Sequence, residues 1–257
     1  MRNAYLKNLS KIEFAVTDAC SGRCKHCSEG SHNECGAQID PKIAADAVEK
    51  ISKHYDVKTV LAFGGEPLLH IEAVCSIISA AKKMNIPKRQ IITNGYFEKD
   101  SVKIRNVVKE LAGCGVNDLL LSVDAFHQET IPLEVVRIFA EEARKCGIPM
   151  RLQPAWLVSR ADNNPYNLKT KEILESLSDL QIVISEGNVI FPEGNAKIYL
   201  ADYFKNDTPQ NPYTEDPCDV KCISFSPNGD VLESNVYQTD ILDIVNNYLP
   251  SFKKNDT

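Results

Sequence analysis

Short apolar runs alternate with stretches of helical periodicity along most of the chain. Residues 12–17 (IEFAVT) form an apolar run, which predicts a buried strand. Asp40-Pro41 follows as an N-cap with proline at the first helical position. Ile43, Ala44, Ala47, Val48 and Ile51 then recur at helix spacing. The alternation continues with a strand over 57–63 ending in Gly64-Gly65-Glu66-Pro67, and a helix with Ile71, Val74, Cys75, Ile78 and Ala81 on one face. A strand over 90–93 ends in Asn94-Gly95, and a helix over 101–112 is closed by Gly113 or Gly115. Next come a strand over 116–123 stopping at Asp124, a helix over 132–146 before Gly147, a strand over 148–153 and a helix over 168–180. Either 181–185 or 188–191 supplies a sixth strand.

The predicted strands are continuous apolar runs, which suits parallel strands covered by helices. Six strand–helix alternations up to Leu200 argue for a parallel α/β architecture. A full eight-unit barrel typically needs about 250 residues, so six units predict an open partial barrel or a doubly wound sheet. After Leu200 the texture changes. Residues 202–217 are polar and proline-rich, without periodicity. Residues 222–226 and 230–234, separated by Pro227-Asn228-Gly229, predict a β-hairpin. Residues 239–252 predict a short helix. The expected division is a core over 1–200 and an extension over 201–257, too small to bury more than a thin core of its own.

Composition narrows the class. The chain has 257 residues, 43% hydrophobic and 25% charged, ordinary values for a globular protein. Disorder is expected only at the tail, 253–257. No apolar run approaches the roughly 18–20 residues of a membrane span. Residues 1–10 lack the apolar core of a secretory signal, so a cytoplasmic protein with no membrane partner is expected. The net charge of −6 and a pI near 5.5 leave no basic footprint for nucleic acid.

Nine cysteines are many for this size, and without an export signal they point to metal or redox work rather than a disulfide framework. Cys20, Cys24 and Cys27 fall within eight residues of a polar loop after the first strand. They bind either zinc or an iron–sulfur cluster. A structural zinc site needs a fourth ligand, which Cys35, His26 or His32 could supply. Three thiolates on a cubane instead leave one iron open to substrate.

The order of motifs favours the second reading. The Cys-x3-Cys-x2-Cys triplet, Gly64-Gly65-Glu66-Pro67, Thr93-Asn94-Gly95 and Ser122-Val123-Asp124 each stand at the C-terminal end of a predicted parallel strand, the face where barrel-type sheets gather their sites. In these motifs the chain resembles the radical S-adenosylmethionine (SAM) superfamily over about residues 12–200. The resemblance implies a partial (β/α)6 TIM-like barrel and a [4Fe–4S] cluster on Cys20, Cys24 and Cys27. It implies SAM chelated at the fourth iron, reductive cleavage of SAM, and hydrogen abstraction from substrate by the 5′-deoxyadenosyl radical. A flavodoxin- or ferredoxin-like protein would donate the electron. Gly64 and Gly65 would let backbone approach the methionine end, and Glu66 would meet its ammonium. Asn94, Ser122 and Asp124 would bond the ribose or carboxylate. Arg151 and Gln153 would supply a cation and an amide against SAM. His26 departs from the family, which usually carries an aromatic residue before the third cysteine, yet its ring could still lie beside adenine. His127 follows strand four, where it is either a solvated loop histidine or a proton-transfer group.

Cys218, with Gly229, resembles the start of the SPASM or twitch extension of many radical SAM enzymes. Ser234 stands where that pattern has its next cysteine, and the later cysteines are missing. Cys218 and Cys222 are therefore read as packing residues, as a hydrogen donor to a substrate radical, or as ligands helped by other residues. The extension makes a peptide or protein side chain the leading substrate. A small metabolite is the enzymatic alternative, and a zinc-stabilised binding protein the non-enzymatic one.

Overall fold

The structure is a computed structural model and describes residues 3–32, 35–205 and 209–251. The tail 253–257 and the last predicted helical position, Phe252, lie outside the described residues. The strands are β1 (Lys11–Ala15), β2 (Thr59–Phe63), β3 (Lys88–Thr93), β4 (Asp118–Ser122), β5 (Met150–Gln153), β6 (Ala155–Trp156), β7 (Val183–Ile184), β8 (Asn188–Val189), β9 (Cys222–Phe225), β10 (Asp230–Val231) and β11 (Ser234–Asn235). The helices are α1 (Pro41–His54), α2 (Ile71–Lys83), α3 (Ser101–Cys114), α4 (Ala125–Gln128), α5 (Leu133–Lys145), α6 (Pro165–Glu175), α7 (Gly194–Tyr199) and α8 (Ile241–Asn247).

Seven strands form one sheet in the order β7-β5-β4-β3-β2-β1-β9, and every pairing in it is parallel. From β1 to β7 each strand joins the same advancing edge, whereas a doubly wound sheet reverses direction at a switch point. The result is a partial TIM-like barrel. Local chemistry sets the helices as predicted. The Asp40 side chain caps Lys42 and Ile43 ahead of Pro41, Asp100 caps α3, and Gly115 ends α3 in the left-handed region. The helix expected from residue 168 starts earlier, because Asn164 caps Asn167 ahead of Pro165. Both segments offered for the sixth strand are extended. Residues 183–184 complete the main sheet, and 188–189 pair with β6, a strand that the sequence reading lacked.

The extension is built differently from the expected hairpin. Residues 222–225 lie parallel to β1, with Cys222 opposite Lys11 and Phe225 opposite Phe14. Only the shorter β10–β11 pair is antiparallel, turning through Leu232 and Glu233 at positive φ. The cause is apolar matching. Ile223 and Phe225 are fully buried, and Phe225 stacks on Phe14 with centroids 4.6 Å apart. Val220, Ile241, Ile244 and Val245 join the same hydrophobic core as the helix-side residues of β1–β5.

Burial alternates along the sheet. Ile12, Phe14, Val60, Ala62, Ile91, Leu119 and Leu121 are buried in the helix-side core, so the residues between them occupy the concave face. Register orders that face into ranks. The lowest holds Cys222, Lys11, Thr59 and Lys88, and the next holds Ser224, Glu13, Leu61, Gln90 and Asp118. Above them Ala15 pairs with Phe63, and Ile92 with Leu120, which pairs with Arg151. Ser122 and Gln153 form the uppermost pair.

Candidate active site at the C-terminal end of the sheet

The cysteine loop leaves β1 and is pinned on two sides. Thr17 pairs with Gln38, and Asp18 N–H donates to the Ala37 carbonyl at 3.0 Å. On the other side Gly65 N–H donates to the Thr17 carbonyl and Glu66 N–H to the Ala19 carbonyl, both at 2.8 Å. A Cβ on Gly65 would lie 2.7 Å from the Ala19 carbonyl carbon, and one on Gly64, at φ 128°, would lie 2.9 Å from the Thr17 oxygen. The space left by these glycines is therefore filled by the cysteine loop's own backbone.

The three cysteines are neighbours, with Cys24 interacting electrostatically with both Cys20 and Cys27. Gly22 sits between two of them: a Cβ there would lie 3.4 Å from the Cys24 sulfur and 3.7 Å from that of Cys20. The Cys20 sulfur accepts from Gly22 N–H at 3.3 Å and from Asn94 Nδ2 at 3.7 Å. The Cys27 sulfur lies 3.2 Å from His32 Nε2, whose Nδ1 lies 2.8 Å from the Asp18 carbonyl. The loop's carbonyls are also held. Arg23 Nη1 donates to that of Cys20, and Asn195 donates through Nδ2 to Cys24 at 3.0 Å and through its N–H to Cys27 at 2.8 Å. All nine cysteines are free thiols. Burial pushes the Cys20 thiol up to about 11 and raises Cys24 and Cys27 as well. The three thiols are thus neutral and release protons when metal binds.

Glu66 is fully buried. Its carboxylate accepts from Thr93 Oγ1 at 2.6 Å, Asn94 N–H at 2.8 Å and Leu68 N–H at 2.9 Å. Burial pushes this carboxyl up to about 7 against those three donors. It ties the end of β2 to the end of β3. Asn94 turns its amide nitrogen to the cysteine loop, 3.4 Å from Ser21 Oγ.

Asp124 is also fully buried, and its oxygens are taken by the chain. They accept from Phe126 N–H, His127 N–H, His127 Nδ1 and Ala155 N–H at 2.8–3.0 Å. Burial raises this carboxyl, but His127 and the hydrogen bonds outweigh it and hold it well below the usual range. Asp124 caps α4 and anchors the step from β5 to β6, rather than projecting a free carboxylate toward a nucleoside. His26 packs on Phe126 and on His127, with centroids at 5.0 and 4.7 Å. Its Nδ1 is buried without a hydrogen-bond partner among the described residues, and burial lowers its pKa to about 4.

Arg151 and Gln153 both bond to neighbouring side chains. Arg151 turns away from the triplet, with Nη2 at 2.7 and 2.9 Å from the two Asp118 oxygens. Gln153 stays at the strand end, bonded to Ser185 Oγ and Asn188 Oδ1. Cys218 and Cys222 are not brought to the triplet. Cys222 lies in the lowest concave rank, at the opposite end of β1, with Glu13 and Lys11 as neighbours. Cys218 lies near Tyr248 and Asp216. The pair is split between two environments, which does not suit a shared metal. Gly194 and Asn195 were missed by sequence reasoning. A Cβ on Gly194 would lie 2.6 Å from Gly30 N, so the Glu-Gly-Asn turn before α7 is as tightly fitted to the cysteine loop as the Gly-Gly-Glu turn. The only advance signal was glycine next to asparagine at a helix start.

An open parallel half-barrel carrying three neighbouring thiols and a Gly-Gly-Glu turn with a buried carboxylate at the carboxyl ends of its strands has the layout of a metal-cofactor enzyme. The family model described as the radical SAM superfamily matches residues 14–183, and the chain belongs to that superfamily. Its cofactors are a [4Fe–4S] cluster and SAM, and the three soft thiols with no fourth cysteine beside them fit such a cluster. The GTP 3′,8-cyclase of Clostridium perfringens (strain 13 / Type A) is 24% identical over 238 residues, covering 80% of this chain and 73% of the cyclase. A probable GTP 3′,8-cyclase of Methanocaldococcus jannaschii is 25% identical over 129 residues, covering 50% of this chain and 41% of its own. In fold the chain is similar to Streptococcus suis SuiB bound to S-adenosylmethionine, with TM-score 0.61 at 16% identity, covering 93% of this chain and 66% of SuiB. It is also similar to anSMEcpe with bound AdoMet, with TM-score 0.53 at 14% identity over 90% of this chain and 76% of that one. Among the described residues no helix is long and apolar enough to cross a membrane.

Proposed function

We propose that this radical SAM enzyme acts on a small polar metabolite held within the half-barrel. One observation carries the reading: the concave face. Barrel interiors are ordinarily filled by branched apolar side chains. Here the two lower ranks present Lys11, Glu13, Lys88, Gln90 and Asp118, beneath an apolar band of Ala15, Phe63, Ile92 and Leu120. A polar molecule with a carbon skeleton matches that layering, with its C–H bonds at the band and its polar groups below. The relatives named GTP 3′,8-cyclase agree with a small substrate. A peptide side chain, the leading expectation from the sequence, becomes the second reading. It is supported by the likeness in fold to SuiB, which has also been solved bound to precursor peptide SuiA.

When bound, the cluster supplies the electron that cleaves SAM and so the 5′-deoxyadenosyl radical that abstracts hydrogen. Cys20, Cys24 and Cys27 hold it. Glu66 and Asn94 join the ends of β2 and β3 to the cysteine loop, and Ser122 and Gln153 flank the substrate side. His26 offers a flat ring against the site. Asp124 orients His127 and fixes the rim. Cys218 and Cys222 serve packing. A flavodoxin- or ferredoxin-like donor in a reducing cytoplasm supplies the electron. The test uses anaerobically reconstituted, reduced enzyme with SAM. GTP and a cell extract split at about 3 kDa are each added, and 5′-deoxyadenosine and new products are followed by mass spectrometry. Stimulation by GTP or the small fraction supports the reading, and stimulation by the peptide fraction alone overturns it.

A further inference from the structure

We infer that Arg151 and Lys88, organised by Asp118, form an oxyanion subsite on the concave face that binds a phosphate or carboxylate group of the substrate. The inference rests on the small-metabolite reading and names the chemistry of one end of that molecule. The Asp118 carboxylate receives Arg151 Nη2 on both oxygens, at 2.7 and 2.9 Å, Gln90 Nε2 at 2.6 Å and Lys88 Nζ at 3.1 Å. Those contacts occupy the roughly four lone-pair sites of a carboxylate. Asp118 is therefore spent as an acceptor, and its effect is to hold three donor groups in fixed positions. None of the three is spent. Arg151 engages Asp118 through Nη2, its Nη1 and Nε make no hydrogen bond among the described residues, and the Lys88 ammonium has two further protons. An arginine fork beside a lysine is the arrangement that suits oxyanions.

A structural ion pair at the strand ends would be the plain alternative, and two facts count against it. The cations are open while the carboxylate is not: side-chain exposure is 39% for Arg151 and 44% for Lys88, but 16% for Asp118. The charges also fail to balance. The concave face carries three cations, Lys11, Lys88 and Arg151, against two carboxylates, Glu13 and Asp118, and Lys11 pairs with Glu13 at 2.6 Å. The excess positive charge therefore falls beside Asp118, in a chain whose net charge is −6.

The test titrates inorganic pyrophosphate, and separately malonate, into SAM-loaded holoenzyme by calorimetry. Wild type is expected to bind one anion per chain, and the preferred probe distinguishes a phosphate from a carboxylate source. Lys88→Gln and Arg151→Gln should each weaken that probe at least tenfold, while Arg151→Lys should recover part of the loss. Lys88→Gln leaves the Arg151–Asp118 fork intact, so it reports even where Arg151→Gln folds poorly. Iron content and SAM affinity are read in parallel. Loss of SAM affinity in Arg151→Gln would return Arg151 to the cofactor and overturn the subsite. So would failure of both anions to bind wild type, or binding to both Gln variants as tight as to wild type. A peptide substrate in the extract assay would sink the metabolite reading separately, whatever the titration gives.

Discussion

Gly65→Ala tests whether the Gly-Gly-Glu turn acts on the cysteine loop rather than directly on SAM. The added methyl would lie 2.7 Å from the Ala19 carbonyl carbon and closer still to its oxygen. Carbon atoms in favourable contact stand about 3.5–4 Å apart, so the turn and the loop must separate by about 1 Å. Overpacking of that kind costs about 1–3 kcal/mol. Separation also breaks the two backbone hydrogen bonds at 2.8 Å, from Gly65 to Thr17 and from Glu66 to Ala19, each contributing about 1 kcal/mol. The sum is about 3–5 kcal/mol, or a fall of about 6–20 °C in melting temperature for a chain of this size. If the loop swings away instead, Cys20 moves with it, and iron is lost rather than stability. The assay is iron per chain after anaerobic reconstitution, with the melting temperature of the iron-free protein. Iron should fall to less than half, and weaker SAM binding should follow from that. Gly113→Ala is the control. No atom lies within 4 Å of its added Cβ, and alanine in a helix is favoured by about 0.5–1 kcal/mol. Gly65→Ala with full iron, an unchanged melting temperature and weakened SAM binding would refute the reasoning and restore the cofactor role.

Four further outcomes are expected. Cys20→Ala, Cys24→Ala and Cys27→Ala should each abolish iron retention and reductive SAM cleavage; full 5′-deoxyadenosine production by any one would remove that residue from the ligand set. Asn195→Ala, which frees the Cys24 carbonyl and leaves the backbone bond to Cys27 in place, should slow cluster loading and destabilise by about 1–3 kcal/mol, read as iron per chain and urea midpoint. Cys218→Ala and Cys222→Ala should keep wild-type iron, and a reproducible drop would show that the extension holds metal. The fourth concerns pH. Glu66, raised by burial to about 7, makes stability fall as pH rises from its unfolded value of 4.5. His26, lowered by burial to about 4, makes stability fall as pH drops below 6.5. The two slopes oppose one another in wild type, so His26→Phe should expose a loss of about 3 kcal/mol between pH 4.5 and 7. Parallel urea midpoints for the two iron-free proteins across that range would contradict the assignment.

The fold was legible where one local signal carried the information. Asp40-Pro41 and Gly115 act within their own turns, and the apolar runs of β1–β5 need only a helix layer to bury them. Asn164-Pro165 carried the same signal as Asp40-Pro41, but the polar stretch around it masked the helix start. The extension was misread for a different reason. Residues 222–226 and 230–234 satisfy hairpin chemistry locally, yet β9 gains more by laying Ile223 and Phe225 into the core beside Phe14. No local pattern records that a strand so late in the chain will pair with the first one, and long-range parallel pairing is decided by the partner's exposed edge.

At the site, the triplet and the Gly-Gly-Glu turn were legible because each places unusual residue types at fixed spacing. Asn195 was not, since it holds the Cys24 carbonyl through its side-chain amide and the Cys27 carbonyl through its main-chain N–H, from 171 and 168 positions away. Arg151 shows a subtler limit. Counting along β5 puts it near the strand's carboxyl end, and so near SAM. Closing a sheet into a barrel staggers successive strands, and the register here sets Arg151 beside Leu120 and Val183, below the Ser122–Gln153 pair. From that height the long side chain reaches down to Asp118, at the amino end of β4. Its direction then depends on which neighbour carries the opposite charge. Asp118 supplies that charge two ranks below the strand ends, whereas Asp124, just past the end of β4, is already claimed by His127 and three backbone amides. The same distribution of carboxylates that seals the rim draws the arginine down the concave face and away from the strand ends.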